Sequence, residues 1–179
     1  MVIRKELKIM YHASPIKGLK TIEPSNKSVS SIGSTPSIFA SPSPNLAVVF
    51  MTSPDSLLDG QYTSGSYDGL TEVVVIGDEE KFRQQERKGG GIYTVPSENF
   101  EPEEGAGRGE LVQTSSKPAT VLAEEKWNSA IAAMLHYGIK VCFIEKSSFP
   151  TFASLSGEEQ WELIQKAAPC PDGTHNIAQ

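Results

Sequence analysis

The sequence predicts an α+β fold on three observations. About six or seven short segments have the apolar or alternating pattern of β-strands. These segments follow one another irregularly with only a few helical segments between them, whereas a doubly wound sheet would alternate strands and helices. The chain has 179 residues, 38% of them hydrophobic, which is enough for one buried core. We therefore expect a single α+β domain over residues 1–168 and a flexible tail over residues 169–179.

The charge balance limits the classes of partner. The chain carries 16 Lys and Arg against 22 Asp and Glu, a formal net charge of -6. Binding to nucleic acid without sequence preference needs Lys and Arg to neutralise phosphates. The composition therefore argues against a general nucleic-acid-binding protein.

The cysteines and the N-terminus bear on location. Cys142 and Cys170 have neither the number nor the spacing of a zinc site or a disulfide framework. Charged residues at positions 4–6 interrupt the N-terminal apolar residues, unlike a signal peptide, and no apolar run approaches membrane-spanning length. We expect a cytoplasmic protein with no metal site and no membrane association.

The first part of the chain alternates short apolar runs with loops rich in Ser, Pro and Gly. Residues 7–12 predict a first strand, and residues 37–41 predict a second, brief one. Asn45 can cap a short, buried helix over residues 46–51. This segment therefore predicts a strand, a loop, a second strand and a helix.

A long loop is predicted over residues 52–69, which are rich in Ser, Asp, Gly and Tyr. Long loops inside compact domains are usually functional or disordered. Tyr62, Tyr67 and Asp68 suit contact with a ligand, and a tolerated insertion fits the composition equally well.

The middle of the chain predicts a buried strand over residues 72–76 and a polar, helical or mobile excursion over residues 78–88. Three glycines at positions 89–91 then lead into a strand over residues 92–95. A phosphate-binding loop would open a helix and would carry a Lys followed by Ser or Thr. The glycines therefore predict a flexible hinge.

The last part of the chain predicts two more strands, over residues 110–114 and 119–123. Apolar residues at helical spacing predict a helix over residues 124–137, which Gly138 would end. A final strand over residues 140–144 and a helix that begins after Ser156 complete the expected elements.

His12 is the first candidate site residue because it ends the first predicted strand just before a loop. A strand fixes the backbone there, while the loop leaves room for a ligand. The other two histidines are easier to place, since His136 lies in a helical pattern and His175 in a polar tail. An imidazole at the rim of a core can also be a purely structural, hydrogen-bonded residue. His12 alone therefore does not decide the function.

The order of several short motifs gives more information. The Tyr11-His12 pair ends the first strand, Ile38-Phe39-Ala40-Ser41 precedes a buried, Ala-containing helix, and residues 92–95 lead to Phe100 and Glu101. This order resembles the ADP-ribosyltransferase-like fold, most nearly the small bacterial group that includes the rifampin ADP-ribosyltransferases. The resemblance covers residues 11–121 and implies a compact split β-sandwich with a few flanking helices.

The resemblance also implies an activity, the transfer of ADP-ribose from NAD, as co-substrate, to an acceptor. Breaking this glycosidic bond passes through a cation-like transition state, which a carboxylate stabilises. By this resemblance His12 would hydrogen-bond a ribose hydroxyl, and Glu110 would hold the nicotinamide ribose and stabilise the cation. The residues expected to contact NAD are Tyr11, His12, Ala13, Ser14, Phe39, Ser41 and Phe50.

The chain departs from the family pattern at some of these positions. Ala13 and Ser14 stand where Gly and Thr are usual. Phe39 stands where a Tyr is usual, so it could still stack on the nicotinamide ring but lacks the hydroxyl. Ser41 lies two residues further along the strand, where it would share a face with Phe39 and line the pocket.

The position of the acidic residue stays open among three glutamates. Many members use a Glu that begins a late strand, which Glu110 fits. The rifampin-modifying group uses an acidic residue just after the Phe, which Glu101 or Glu103 would fit. We favour Glu110, because Pro102 and the Gly-rich turn after it suggest that Glu101 and Glu103 lie in a mobile loop.

The sequence leaves the acceptor and the activity itself open. The acceptor could be a protein side chain, a small molecule, water or, as a less favoured choice, a nucleic acid. An RNA 2′-phosphotransferase, which shares the fold, is disfavoured because the chain is acidic and has no Arg cluster to hold a phosphorylated RNA. The alternative to an enzyme is a non-catalytic NAD-binding, nucleotide-binding or protein-interaction domain on the same fold. A serine hydrolase is disfavoured, since no Gly-x-Ser-x-Gly motif occurs.

Overall fold

A computed structural model describes residues 8–25, 36–52, 60–102 and 112–178 of the chain. Within them it has thirteen strands and five helices. The strands are β1 Ile9–Ser14, β2 Thr21–Ile22, β3 Ile38–Ala40, β4 Tyr62–Ser66, β5 Glu72–Ile76, β6 Gly90–Pro96, β7 Glu101–Pro102, β8 Gln113–Ser115, β9 Ala119–Thr120, β10 Ala123–Trp127, β11 Lys140–Phe143, β12 Ala168–Pro169 and β13 His175–Asn176. The helices are α1 Pro44–Val48, α2 Glu79–Glu86, α3 Ala130–His136, α4 Phe149–Ser154 and α5 Gly157–Gln165. The α+β class is confirmed.

The first sheet has the order β1-β6-β10, and β6 runs antiparallel to both neighbours. A second small sheet, β3-β8-β7, is antiparallel throughout. The two are joined where Tyr11 and Ser41 pair: the Tyr11 amide donates to the Ser41 carbonyl oxygen at 2.7 Å, and the Ser41 amide donates to the Tyr11 carbonyl oxygen at 2.9 Å. Six strands therefore follow one another in the order β10-β6-β1-β3-β8-β7. A separate short pair joins β2 to β9.

A five-stranded sheet has the order β12-β13-β11-β5-β4. Its middle strand β11 runs parallel to both β5 and β13, and the other pairs are antiparallel. Residues 73–76 of β5 are almost fully buried, because the sheet is covered on both faces. The β-branched run predicted as a buried strand over residues 72–76 is confirmed.

Three clusters of buried side chains form the core. The first contains residues of the first sheet and of the five-stranded sheet, here called the two larger sheets, such as Ala13, Ile92, Val74 and Ile76. It also includes side chains of α1 and α3. The second covers the opposite face of the five-stranded sheet with α4, α5 and Ile177. The third lies on the other face of the first sheet and includes side chains of β1, β3 and β6. Each larger sheet thus packs on both of its faces.

None of the helices in the described part of the chain has both the length and the apolar character needed to cross a bilayer.

The prediction of a helix over residues 124–137 was wrong in its first third. Residues 123–127 form β10, the edge strand that pairs with β6. The helix begins at Ala130, where the Ser129 hydroxyl caps it by accepting a hydrogen bond from the Ala132 amide at 3.0 Å. Backbone pairing with β6 fixed this segment as a strand although the spacing of its apolar residues also fits a helix.

The predicted long loop over residues 52–69 contains strand β4. Its tyrosines bond within the protein, since the Tyr62 hydroxyl donates to the Val49 carbonyl oxygen at 2.8 Å and the Tyr67 hydroxyl donates to Gln160 Oε1 at 2.7 Å. Asp68 accepts the amides of the two residues that close the turn between β4 and β5. These side chains have structural contacts, and residues 53–59 lie outside the described residues.

The glycines at positions 89–91 are held by close contacts and do not form the flexible hinge that we expected. Gly89 has a φ of 64°, and a Cβ there would collide with the Trp127 carbonyl oxygen. A Cβ on Gly90 would collide with the backbone of β1, and one on Gly91 would lie 2.8 Å from the Tyr93 ring and hydroxyl. The glycines let β6 approach both neighbours and let the Tyr93 ring lie over the strand.

Residues 168–178 correct the expectation of a flexible tail. They form β12 and β13, and β13 adds a parallel strand to β11. Thr174 and Ile177 are buried, and Asp172 forms an ion pair with Arg83 at 2.9 Å. Pro and Gly here shape a tight turn, closed by a hydrogen bond from the Cys170 amide to the Thr174 carbonyl oxygen, and do not mark a frayed end.

Ile177→Ala should lower the free energy of unfolding by about 2–5 kcal/mol, because it opens a cavity in the second cluster. The neighbouring exposed side chain offers a control, since Asn176→Ala should change stability by about 0.5 kcal/mol or less. Urea unfolding followed by circular dichroism measures both. Equal stability of Ile177→Ala and the wild type would contradict the packing of this segment.

Gly91→Ala should lower the free energy of unfolding by about 1–3 kcal/mol, because the added methyl group displaces the Tyr93 ring. The matched control is Gly157→Ala in the first turn of α5, where an added Cβ meets no atom within 4 Å. That change should be neutral or stabilise the protein by up to about 1 kcal/mol. Equal effects of the two substitutions in urea unfolding would contradict the account of Gly91.

Candidate functional site

The His12 side chain is fixed by a hydrogen bond to the neighbouring strand. His12 Nδ1 lies 2.7 Å from the carbonyl oxygen of Phe39 in β3. A carbonyl oxygen can only accept, so Nδ1 carries the proton and donates. In the neutral ring Nε2 then has a lone pair and acts as an acceptor. The imidazole can therefore accept a hydrogen bond from a ligand hydroxyl group.

Burial lowers the pKa of His12 below its ordinary value of 6.5, and the hydrogen bond to the Phe39 carbonyl oxygen opposes that shift without overcoming it. Desolvation disfavours the charged imidazolium form. The ring is therefore neutral near pH 7, which preserves the acceptor at Nε2.

Across the first sheet, His12 stands in one row with Tyr93 and Glu124. His12 and Glu124 are each directly opposite Tyr93, so the three side chains leave the same face. The His12 and Tyr93 rings are tilted by 36°, with 6.5 Å between their centroids. This row places a neutral imidazole, a phenol and a carboxylate side by side, and sequence reasoning missed its last two members.

Phe39 belongs to a second row, on the small sheet. It stands opposite Thr114, and Thr114 stands opposite Glu101 on the far strand. Directly paired residues share a face, and neighbouring strands lie about 4.8 Å apart. The Phe39 ring, the Thr114 hydroxyl and the Glu101 carboxylate therefore emerge on one side, about 10 Å from end to end along the row. Phe39 and Thr114 are partly exposed, and Glu101 is exposed.

The two rows face different sides of the junction between β1 and β3. Ser41 is opposite Tyr11, and Phe39 lies two residues from Ser41, so their side chains share the Tyr11 side. His12, next to Tyr11, faces the other side, where Ile38 and Ala40 join Met10 in the third cluster. The His12 imidazole is thus hydrogen-bonded to the Phe39 backbone, but it lies on the opposite side of the junction from the Phe39 ring.

The strand pairing removes one reason for preferring Glu110 over Glu101. Glu101 begins β7 and pairs with β8, whereas we expected it in a mobile loop. Glu103 and Glu110 lie outside the described residues.

The remaining residues predicted to contact NAD have contacts within the protein. The Ser14 hydroxyl accepts a hydrogen bond from the Ile16 amide, and the buried Ser41 hydroxyl accepts one from the Ser43 amide, each at 3.1 Å. Three more pack in or against the first core cluster: Ala13, Tyr11 and Phe50.

Within the described residues, no group of three or more His, Cys, Asp or Glu side chains is arranged to hold a metal ion. Comparisons of the chain with protein-family models, with curated proteins and with solved structures gave no match.

Stability should fall between about pH 7 and pH 5, in part through His12. Its pKa is lowered by folding, so the unfolded state binds the proton first as the pH falls through 6.5, and stability rises with pH in that window. One proton of difference corresponds to about 1.4 kcal/mol per pH unit. His12→Gln should flatten the pH dependence measured by urea unfolding.

A second histidine also contributes to the slope. Burial and nearby Lys140 lower the pKa of His175, so it contributes in the same direction and some slope should remain in His12→Gln. Asn128→Ala removes no titratable group from an exposed position, so it is the control and should keep the wild-type slope. A slope unchanged by His12→Gln would contradict the assignment of a neutral, partly buried imidazole.

Proposed function

We propose that this protein is an NAD-dependent mono-ADP-ribosyltransferase that transfers ADP-ribose to a protein or small-molecule acceptor. The observation that best supports the proposal is the hydrogen bond from His12 to the Phe39 carbonyl oxygen. It leaves Nε2 of a neutral imidazole as an acceptor within β1, two residues before the strand ends, and a ribose hydroxyl of NAD is a donor that this acceptor suits.

The proposed reaction breaks the bond between C1′ of the nicotinamide ribose and the ring nitrogen of nicotinamide. Nicotinamide leaves with the bonding electron pair, and positive charge develops at C1′ and the ring oxygen of the ribose. The acceptor's nucleophilic atom then bonds to C1′ and loses its proton. The site must therefore supply a carboxylate close to the ribose, since negative charge stabilises this transition state.

Glu110 is the proposed carboxylate, and Glu101 is its competitor. The support for Glu110 is the resemblance of the sequence motifs. The support for Glu101 is its place in the row with Thr114 and Phe39, on whose ring nicotinamide could stack. That row faces the side of the junction opposite the His12 imidazole, so a ribose held by Glu101 would not contact His12. The two assignments are distinguished by substitution.

Purified protein mixed with NAD should release nicotinamide, and NAD should raise its melting temperature. Glu110→Gln should reduce release about 100-fold or more while the shift in melting temperature is retained, because Gln keeps the shape but not the charge. If Glu101 is the carboxylate, Glu101→Gln will show that loss instead. Glu98→Gln, three residues before Glu101 and also exposed, is the control and should release nicotinamide normally.

Each remaining outcome of this experiment decides between the alternatives. A wild type that gains stability with NAD but releases no nicotinamide would favour the non-catalytic nucleotide-binding domain, which Phe39 in place of a hydroxyl-bearing Tyr also suits. A wild type that shows neither effect would overturn the proposed use of NAD altogether.

A further inference from the structure

The loop that follows His12, residues 15–20, is fastened to the first sheet by two side chains. The Tyr93 hydroxyl lies 2.6 Å from the Ile16 carbonyl oxygen and accepts a hydrogen bond from the Leu19 amide at 3.4 Å. Glu124 Oε1 accepts a hydrogen bond from the Gly18 amide at 2.6 Å and lies 2.9 Å from the Tyr93 hydroxyl. Tyr93 and Glu124 stand beside His12 in the same row. Together they bind backbone groups of Ile16, Gly18 and Leu19 in this loop.

Tyr93 and Glu124 both have the protonation state that these hydrogen bonds require. Burial raises the pKa of Tyr93 to about 12, so its hydroxyl keeps its proton. The hydrogen bond from the Gly18 amide lowers the pKa of Glu124, so its carboxylate stays ionised. The Tyr93 side chain is fully buried, and the absent Cβ of Gly91 makes room for its ring. The anchor is therefore a rigid part of the sheet.

The loop has few other means of staying in place. It contains no helix or strand, and the Ile16 side chain is 60% exposed. Its further contacts include a hydrogen bond from the Ile16 amide to the Ser14 hydroxyl, one from Lys17 Nζ to Asn128, one from the Val121 amide to the Lys20 carbonyl oxygen, and packing of Leu19 against the third cluster. Without Tyr93 and Glu124, the Gly18 amide and the Ile16 carbonyl would lose the partners described above. Such a segment would be more mobile.

We propose that Tyr93 and Glu124 are positioning residues, which hold the loop of residues 15–20 ready beside His12 so that a bound NAD does not have to order it. This inference rests on the proposed function. A ligand that meets a preorganised loop binds more tightly, because the ordering entropy has already been lost on folding. Neither side chain takes part in the chemical step, so their loss acts on NAD binding and not on bond cleavage.

The test combines loop exchange with kinetics in three variants. Tyr93→Phe removes only the hydroxyl, and Glu124→Ala removes the acceptor of the Gly18 amide. Hydrogen exchange of the Gly18 and Leu19 amides should be about tenfold faster or more in both. The KM for NAD in nicotinamide release should rise about tenfold while kcat changes less than about twofold. Glu124→Gln keeps an oxygen acceptor and should restore both values.

A second Tyr-Glu pair, whose glutamate also lies in β10, provides the matched control. The Tyr137 hydroxyl donates to Glu125 Oε2 at 2.6 Å, and burial also raises the pKa of Tyr137 to about 12. Glu125 is the neighbour of Glu124 in β10 and therefore points to the other face of the sheet. Tyr137→Phe should leave loop exchange and KM at wild-type values. If it changes them as Tyr93→Phe does, the effect is a general loss of stability and the inference is wrong.

The outcomes separate failure of the inference from failure of the proposed function. Unchanged exchange in Tyr93→Phe and Glu124→Ala overturns the anchoring of the loop, whatever the protein does with NAD. Faster exchange with an unchanged KM overturns the positioning role alone. A loss of kcat in Glu124→Gln would make the Glu124 carboxylate a participant in the reaction and also overturn it. A wild type that neither binds nor cleaves NAD overturns the proposed function and, with it, the role of Tyr93 and Glu124 in NAD binding. Hydrogen exchange of the Gly18 and Leu19 amides would still show whether these two side chains hold the loop.

Discussion

Two backbone hydrogen bonds between Tyr11 and Ser41 hold the candidate site together. Among the described residues, this bridge joins the backbone of the sheet β1-β6-β10 to that of the sheet β3-β8-β7. The pair brings the Phe39 carbonyl oxygen to the His12 ring, and that contact fixes both the tautomer and the direction of the imidazole. It also places Ile38 and Ala40 against β1 in the third cluster. The position of His12 relative to the small sheet therefore depends on these backbone bonds, on the bond from the imidazole to Phe39 and on the packing of the third cluster.

The sequence was most informative where one strong preference for a type of secondary structure decided the local structure. Val73, Val74 and Val75 are β-branched and apolar without interruption, a pattern that only a strand covered on both faces satisfies well, and the strand boundaries were predicted correctly. The predictions were wrong where pairing with a strand far away in the sequence decided the structure against the local spacing of apolar residues. Trp127 fits a helical pattern with Ile131, yet pairing with Gly90 places it in β10. The C-terminal Pro and Gly residues looked like an end because nothing local reveals that β13 pairs with β11.

The candidate site could be predicted only in part for a related reason. The predicted end of a strand marked His12, although β1 continues for two more residues, to Ser14. The hydrogen-bond partner of His12 is 27 residues away in the chain, and no local pattern identifies a carbonyl oxygen. Tyr93 and Glu124 looked like a buried aromatic residue and a helical surface charge until the pairing of β6 with β1 and β10 put them in one row with His12. A Gly two residues before a buried Tyr was the one available signal, since it leaves space for the ring.

The pairing of strands also has a consequence for how the chain folds. β1 pairs with β6, β5 with β11, and β3 with β8, so the main ladders join segments far apart in the sequence, and only the β4-β5 hairpin among the longer pairs is local. Each such ladder requires a long loop to close before its contacts form, which makes folding slow and leaves strand edges exposed meanwhile. β13 is synthesised after all its partners in the described chain. During translation the β11 edge that pairs with β13 therefore stays unpaired until that strand emerges.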